Sequence, residues 1–380
     1  MQSVAKHFRI TKNETQPIAT TYATGLIIKW VLNNMNTEIK PIVRTLDDIA
    51  KIAGVSKSTA SRALNDNPLI SEKTRLKIQK IAKDHNFIKH YGASSLSLNT
   101  SNTIALMVPK YDENHYDLVR VKEDPFFNKV LAGILSQTDL IGKELLISSF
   151  DPASPVKIAQ LVNSRKVDGA IVFGATDENE KFSDHIPANF PIVFWGNMRT
   201  TTKYKTVSGN DMEGARLATQ ALIDAGKKNI AYIGGFGESP EVSARFEGYK
   251  KAIHHLNSPK FISGFGRYTH QSGEQQMRQL LDLYPDIDGV FAGSDVLAMA
   301  AISVLKQKGK SIPENVAVVG YDDIDMAEFF KPALTTISQN GFVAGQILVD
   351  KLISIIKKEP DSIEQRTYID VHLIRRESCQ

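Results

Sequence analysis

The sequence predicts an α/β protein in which a small all-α unit is followed by a large, doubly wound α/β core with two subdomains. Apolar residues recur at helical spacing within residues 41–90, whereas short apolar runs alternate with helical stretches from residue 103 onward. The length of 380 residues exceeds that of one domain, and 42% hydrophobic residues are enough to fill several cores. Two or more domains are therefore expected.

Residues 45–65 predict two short helices joined by a tight turn. In TLDDIAKIA the apolar residues follow helical spacing, and Thr45 and Asp48 match a capping box. Gly54 ends this helix, because glycine takes a positive φ without steric cost. Ser56 is a suitable cap for a second helix, KSTASRAL. Two helices joined by three or four residues form a helix-turn-helix.

A third helix is predicted after its cap, Ser71, over EKTRLKIQKIAKDHNF. The second and third helices supply apolar side chains to one core, namely Val55, Ala60, Ala63, Leu64, Leu76, Ile78, Ile81, Ala82 and Phe87. One face of the second helix is therefore predicted to pack in this core, and its other face is free to contact a partner.

The outward face of the second helix carries hydrogen-bonding side chains, namely Lys57, Ser58, Thr59, Ser61, Arg62 and Asn65. Such side chains suit the reading of base edges in a major groove, and Arg62 can pair with a guanine. Residues 1–100 carry 15 Lys and Arg against 7 Asp and Glu, a net charge of +8, whereas the rest of the chain has a net charge of −4. We predict double-stranded DNA as a partner; an ordinary surface helix with a solvated basic surface is the alternative.

The stretch TLDDIAKIAGVSKSTASRALNDNPLISEKTRLKIQKIAKDHNF resembles the DNA-binding domain of the LacI/GalR (lactose-repressor/galactose-repressor) family over nearly every position. The resemblance implies that Lys57, Ser58 and Arg62 read bases. It also implies positions near phosphates for Ser56, Thr59, Ser61 and Asn65. A sequence-specific repressor that acts as a homodimer on a palindromic operator follows from this resemblance.

Residues 91–102 are small and polar, which predicts a hinge between the helical unit (residues 41–90) and the core (residues 103–380). In the family the matching segment forms a short helix on DNA, so the resemblance implies that Leu96 is wedged into the minor groove. Two departures weaken this implication: Lys89 and His90 replace the family's usual proline and asparagine, and Gly92 stands where a better helix former is common.

The core contains seven short apolar runs: TIALMVP, KELLISSF, GAIVFG, PIVFW, NIAYIGG, DGVFAG and NVAVVGYDD. Helical stretches separate most of them, which is typical of parallel sheets with crossover helices. The core is longer than one such sheet needs, so two subdomains with a cleft are predicted. It resembles the family's effector-binding core, which is similar to periplasmic sugar-binding proteins, and this implies chain crossings near residues 207, 336 and 366.

Ligands of open α/β sheets lie beyond the carboxyl ends of the strands, so the polar and aromatic residues that follow the runs are candidates. They are Phe126, Phe127, Trp195, Arg245, Ser294, Asp295 and Asp322. Carboxylates and arginine bind hydroxyls and aromatic faces stack on sugar rings, so a sugar-like effector is predicted, with Trp195 favouring a glucoside. Family resemblance supports Arg245 and Asp322 most. Core packing is the alternative for the Phe pair, and helix capping for Asp295.

No catalytic motif is complete in the sequence. GKS at residues 309–311 needs a glycine at position 304 to form a phosphate loop, but Val304 stands there, and Pro240 replaces the last glycine of a dinucleotide loop in GGFGESP. HExxH and GxSxG do not occur. We therefore predict a regulator without catalysis, cofactor or metal. A periplasmic-type carbohydrate-binding protein and a sugar-metabolising enzyme are the alternatives.

Cys379 is the only cysteine, which excludes an internal disulfide framework and a multi-cysteine metal site. No apolar run reaches the roughly 18 residues that cross a bilayer, so a reducing cytoplasm is the predicted location. Residues 1–40 have no counterpart in the family. They are predicted to be a disordered arm or a translated upstream segment, and a secretory signal is the alternative.

Overall fold

The computed structural model describes residues 45–85, 87, 100–109, 124–151, 156–174, 186–187, 189–197, 204–235, 239–254, 262–359 and 364–380. The chain divides into two compact units, residues 1–94 and residues 95–380. The predicted N-terminal extension and most of the predicted hinge, with Leu96, lie outside the described residues.

In the first unit, the described residues 45–85 form three helices, α1 (Leu46–Ala53), α2 (Lys57–Leu64) and α3 (Glu72–Asp84). Their common core is formed by Ile49, Ala50, Ala53, Ala60, Ala63, Ile78 and Ala82. The prediction that Leu76 closes this core is wrong, because its side chain is 56% exposed. Leu76 lies two residues before Ile78, which turns it about 200° around the helix axis and away from the core.

Local capping explains where these helices begin and end. Thr45 and Asp48 form the predicted capping box, and Gly54 follows α1 with a φ of 71°. The Ser56 hydroxyl accepts a hydrogen bond from the Thr59 backbone N–H at the start of α2. Each cap satisfies a backbone group that a helix end otherwise leaves without a partner. The turn between α1 and α2 is therefore specified by a few local residues.

The described part of the second unit forms twelve strands: β1 (Thr103–Pro109), β2 (Glu144–Phe150), β3 (Gly169–Phe173), β4 (Ile192–Trp195), β5 (Lys205–Gly209), β6 (Ile230–Gly235), β7 (Ile262–Gly266), β8 (Gly289–Ala292), β9 (Ala317–Asp322), β10 (Thr335–Ser338), β11 (Arg366–Ile369) and β12 (His372–Ile374). Its helices are α4 (Pro125–Leu140), α5 (Val156–Asn163), α6 (Asp211–Asp224), α7 (Pro240–Ile253), α8 (His270–Leu283), α9 (Asp295–Gln307), α10 (Asp325–Phe329) and α11 (Gly341–Ile356). The seven apolar runs of the sequence form β1, β2, β3, β4, β6, β8 and β9.

The strands form two six-stranded sheets, which confirms the predicted doubly wound core with two subdomains. The order is β2-β1-β3-β4-β5-β11 in the sheet of the N-subdomain and β7-β6-β8-β9-β10-β12 in the sheet of the C-subdomain. All pairings are parallel except that of β10 with β12. The chain passes between the sheets after β5, after β10 and after β11.

Helices α4 and α11 cover one face of the N-subdomain sheet and approach each other through glycines. A Cβ on Gly133 would overlap the carbonyl oxygen of Phe342, and a Cβ on Gly345 would overlap that of Val130. Both glycines therefore allow direct backbone contact between the two helices. Within the described ranges, no helix is long and apolar enough to span a bilayer.

Candidate functional site

Helix α2 presents a polar face to solvent. Ala60 and Ala63 on its inner face are fully buried. The sequence-predicted residues lie on the other side: Ser56, Lys57, Ser58, Arg62 and Asn65 are exposed, and Thr59 and Ser61 are half-buried. The structure therefore brings together all the predicted DNA-contacting residues of the first unit on one surface.

Three contacts organise the beginning of this face. The Ser56 hydroxyl oxygen lies 2.9 Å from the Ser58 hydroxyl oxygen and 2.8 Å from that of Thr59. The Lys57 ammonium pairs with the Asp47 carboxylate of α1 at 2.9 Å. Among the described residues, no hydrogen bond or ion pair involves the Arg62 guanidinium, which is thus available to an external acceptor.

In the second unit, a buried ion pair lies beside the carboxyl ends of the C-subdomain strands. Arg245 of α7 donates from Nε to Asp211 Oδ1 at 2.9 Å and from its terminal nitrogen to the Gly293 carbonyl oxygen at 2.6 Å. Its guanidinium carbon lies 3.9 Å from the ring centroid of Tyr321. Burial opposes the charge, but Asp211 together with Tyr268, Tyr321 and Asp322 outweighs it and raises the pKa of Arg245, which stays protonated.

The N-subdomain reaches this ion pair through Asn197, which follows β4. Asn197 donates from Nδ2 to Asp211 Oδ2 at 3.0 Å, and its Oδ1 accepts from the Ser208 hydroxyl of β5 at 2.8 Å. Both carboxylate oxygens of Asp211 are therefore occupied by protein donors. Asp211 holds Arg245 in place from the N-terminus of α6, and this position suits a carboxylate because of the helix dipole.

Asp322 ends β9 in a strained turn with Asp323. The two residues have φ values of 108° and 50°, a region that non-glycine residues seldom adopt. Asp322 Oδ1 accepts from Gln339 Nε2 at 2.6 Å, and Asp323 pairs with Arg376 at 2.8 Å. Burial raises the pKa of Asp322 well above its usual range, although the Arg245 charge counteracts this in part. The structure thus couples the two best-supported candidates electrostatically.

Three buried polar atoms near Arg245 have no hydrogen-bond partner in the described structure: Tyr232 Oη, Glu241 Oε2 and Tyr268 Oη. Each of these side chains interacts electrostatically with Arg245. Burial raises the pKa of Glu241 to about 7 and that of Tyr268 to about 12. A buried polar atom without a partner is costly, so a group of them is typical of a site that a ligand completes.

An aromatic cluster lies in the N-subdomain. Phe126 and Trp195 have ring centroids 5.5 Å apart, and Phe173 stacks on Trp195 at 6.3 Å and meets the edge of Phe127 at 4.8 Å. Asp124 caps α4 by accepting from the backbone N–H groups of the Phe pair. The Phe pair is largely buried in the subdomain core, which is the alternative that the sequence left open.

Ser294 and Asp295 serve the framework of the C-subdomain. The Ser294 hydroxyl caps α9 by accepting from the Leu297 N–H at 3.3 Å. Asp295 is fully buried, and its oxygens accept from the Thr336 hydroxyl at 2.5 Å and from the Ile324 N–H at 2.8 Å. Burial raises its pKa to about 7. Asp295 thus neither caps its helix nor reaches solvent, and its charge helps to raise the pKa of Asp322.

Lys129 of α4 bridges the two subdomains. Its ammonium donates to the Asp323 carbonyl oxygen and pairs with the Asp325 carboxylate at 2.9 Å. Lys129 belongs to the N-subdomain, whereas both acceptors follow Asp322 in the C-subdomain. The position of the Asp322 turn is therefore linked to the N-subdomain.

Sequence reasoning missed several residues of this cleft, namely Asp124, Asn197, Asp211, Glu241 and Tyr268. Asp124, Asn197 and Asp211 lie at the edges of elements that the sequence did predict, where polar residues are expected for capping alone. Glu241 had a clearer signal, since it precedes Arg245 by four residues and thus shares its helix face.

A helix-turn-helix unit with a polar outer surface, joined in one chain to a two-sheet core with a buried group of charged side chains, is typical of a ligand-controlled DNA-binding regulator. Comparison with known proteins agrees with this class. Residues 45–90 match the family described as bacterial regulatory proteins, lacI family, and residues 219–379 match the periplasmic binding protein-like domain.

Two relatives illustrate the likeness in sequence. The ribose operon repressor of Escherichia coli is 31% identical over 343 residues, which cover 88% of this chain and 99% of the relative. The HTH-type transcriptional regulator CelR of Thermobifida fusca is 29% identical over 339 residues, which cover 88% of this chain and 98% of the relative.

Two solved structures illustrate the likeness in fold. A complex of the transcriptional regulator CelR with cellobiose has a TM-score of 0.65 and 28% identity, and covers 88% of this chain and 99% of its own. A Lac repressor dimer bound to operator and an anti-inducer has a TM-score of 0.76 and covers 89% of this chain and 99% of its own. At 24% identity, that match supports the fold.

The chain belongs to the LacI family of bacterial regulators. It is a sequence-specific DNA-binding transcriptional repressor whose operator binding is controlled by a small ligand, and the predicted class of regulator without catalysis is confirmed by its relatives.

Proposed function

We propose that the controlling ligand is a sugar held in the cleft of the core by Arg245 and Asp322. The observation that carries this proposal is the group of buried polar atoms without a protein partner around Arg245, since a ligand rich in hydroxyls supplies the missing partners. Trp195 and Phe126, which contact each other at 5.5 Å between ring centroids, are largely buried in the N-subdomain core and in this proposal support the apolar side of the site. The cellobiose complex of CelR and the name of the ribose operon repressor support a sugar.

In this proposal the remaining predicted cleft residues act indirectly. Phe127 anchors the N-terminus of α4, Ser294 caps α9, and Asp295 fixes the strand ends beneath Asp322 through Thr336. Rigid support of this kind lets a binding side chain keep its position when the ligand leaves.

On the DNA side we propose that a homodimer binds a palindromic operator in the cytoplasm, with one α2 helix in each half-site. Lys57, Ser58 and Arg62 then read bases, while the roles near phosphates belong to Ser56, Thr59, Ser61 and Asn65. The segment 91–102 serves as the hinge, with Leu96 in the minor groove. The exposed polar face of α2 and the net charge of +8 on residues 1–100 support this arrangement.

The proposal is tested by selecting an operator from randomised duplexes and measuring its affinity for the full chain by fluorescence anisotropy. The titration is repeated with ribose, glucose, cellobiose and other neutral sugars, and each compound is also tested for thermal stabilisation of the protein. We expect at least one sugar to shift both the operator affinity and the unfolding temperature. A panel in which no sugar does either contradicts a sugar effector.

Asp322→Asn is expected to lower the affinity for that sugar about tenfold to a hundredfold, because a hydrogen bond to a charged partner contributes about 1.5–3 kcal/mol. Operator affinity without ligand stays nearly unchanged, since the substitution keeps the shape of the side chain. Isothermal titration with the sugar and anisotropy with the operator measure the two effects. The matched control is Asp282→Asn, which changes an exposed carboxylate at the end of α8. Equal sugar affinities for both variants place Asp322 outside the site.

Arg62→Ala is expected to cost roughly 1–3 kcal/mol of operator binding and to relax the preference at one base pair, because a bidentate contact to a base is lost. Affinities for the selected operator, its single-base variants and a scrambled duplex are compared at one salt concentration. Lys83→Ala, an exposed basic position of α3, controls for the loss of charge. Equal losses on the operator and the scrambled duplex mean that Arg62 contacts only phosphate.

A further inference from the structure

Glu241 stands at the beginning of α7, four residues before Arg245, and its Oε2 atom is buried without a partner in the part of the chain that the structure describes. Residues four apart share a helix face, so its carboxyl group lies on the same side of α7 as the guanidinium. The family resemblance did not single out this residue, and none of the framework contacts uses its Oε2 atom.

Several carboxyl groups, including that of Glu241, interact with the Arg245 guanidinium. Four carboxyl groups interact with the Arg245 guanidinium, namely those of Asp124, Asp211, Glu241 and Asp322. Asp211 already pairs with that guanidinium at 2.9 Å. Glu241, Asp124 and Asp322 therefore form an excess of carboxyl groups among the described residues that border the cleft.

Burial acts in the same direction on all three of these groups. It raises the pKa of Asp124 and of Asp322, and it raises that of Glu241 to about 7. Asp211 adds to the rise at Glu241, while Arg245 and the Ser239 hydroxyl oppose it. Burial therefore disfavours the ionised form of all three carboxyl groups even without a ligand.

A neutral hydroxyl and an anionic group interact differently with these buried carboxyl groups. A hydroxyl donates a hydrogen bond to Glu241 Oε2 and satisfies an atom that otherwise has no partner. A phosphate or carboxylate brings only acceptors and a like charge, which repels the carboxyl groups most strongly where water is excluded. The Arg245 guanidinium is already engaged by Asp211 and the Gly293 carbonyl, so it offers little compensation.

We propose that Glu241 is a specificity-determining residue that makes the cleft select uncharged, hydroxyl-bearing effectors and exclude their phosphorylated or carboxylated forms. This inference rests on the proposed function, because it takes the cleft as the effector site. The inference adds to the proposed function that the effector is uncharged and that Glu241 determines this preference.

The test uses the full chain and matched pairs of probes: ribose with ribose 5-phosphate, glucose with glucose 6-phosphate, and galactose with galacturonate. Isothermal titration gives both affinities of each pair, and operator anisotropy reports the response. For each pair that binds, we expect the neutral member to bind at least about tenfold more tightly, which corresponds to one unit of pKa. Glu241→Gln is expected to reduce that ratio about tenfold, mainly by admitting the anionic member.

Glu247→Gln is the matched control, because it removes an exposed carboxylate from the same helix and is expected to leave the ratio unchanged. If an anionic probe binds the wild-type chain as tightly as its neutral partner, the inference is wrong, but a sugar effector is still supported. This result does not depend on whether the variant folds. If a folded Glu241→Gln protein keeps the wild-type ratio of neutral to anionic affinity, Glu241 does not determine this specificity. Absence of binding and of operator response for every probe contradicts the proposed sugar effector itself, and the inference falls with it.

Discussion

Replacing Arg245 by alanine is expected to lower the free energy of unfolding by about 3–5 kcal/mol, the usual cost of breaking a buried ion pair. The substitution leaves the Asp211 carboxylate buried and removes the donor to the Gly293 carbonyl. The same change abolishes the effector response at ligand concentrations that saturate the wild-type protein. Urea unfolding measures the first effect, and operator anisotropy with the effector measures the second.

The Arg216–Glu213 pair on α6 provides the control for this experiment. It has similar chemistry, with a distance of 2.6 Å, but both side chains are 41% exposed. Arg216→Ala is therefore expected to cost less than about 1 kcal/mol. A combined Arg245→Met and Asp211→Leu variant should recover part of the loss, because it removes both charges. Similar small losses for Arg245→Ala and Arg216→Ala contradict a buried ion pair.

Gly133→Ala is expected to lower the free energy of unfolding by roughly 3 kcal/mol, although alanine normally favours a helix over glycine. The added Cβ overlaps the carbonyl oxygen of Phe342, so α4 and α11 must move apart. Backbone atoms cannot change rotamer to make room, and the N-subdomain core under both helices loses its close packing.

Urea unfolding of Gly133→Ala is compared with that of Ser136→Ala, which alters an exposed position of the same helix and is expected to stay within about 0.5 kcal/mol of wild type. If Gly133→Ala is as stable as the wild-type chain or more stable, helix propensity dominates and the close approach of the two helices is wrong.

Features set by neighbouring residues were predictable from the sequence. The capping box of Thr45, the turn at Gly54 and the cap at Ser56 each depend on residues within one helical turn. Arg245 and Asp322 were predicted because they follow strands whose carboxyl ends meet in a parallel sheet, and the family resemblance supported them most.

Features set by packing were not predictable. Among the described strands, β7 lies at the sheet edge beside β6 and contains two glycines, Gly264 and Gly266, so its sequence lacks the apolar run of a central strand. Asp295 follows a strand as Asp322 does, yet its side chain turns towards Thr336, a contact between residues 41 positions apart. Whether a buried oxygen of Glu241 or Tyr268 has a hydrogen-bond partner among the described residues depends on side chains distant in sequence.

The Lys129 bridge makes ionic strength act on this repressor in two ways. Counterion release weakens any contact between basic residues and phosphates as salt rises. The Lys129–Asp325 pair is also exposed to screening, since the Asp325 side chain is 87% accessible to solvent. We therefore expect rising salt to weaken this link between the subdomains as well. The slope of operator affinity against salt concentration combines both effects, and Lys129→Met isolates the part that belongs to the DNA contacts.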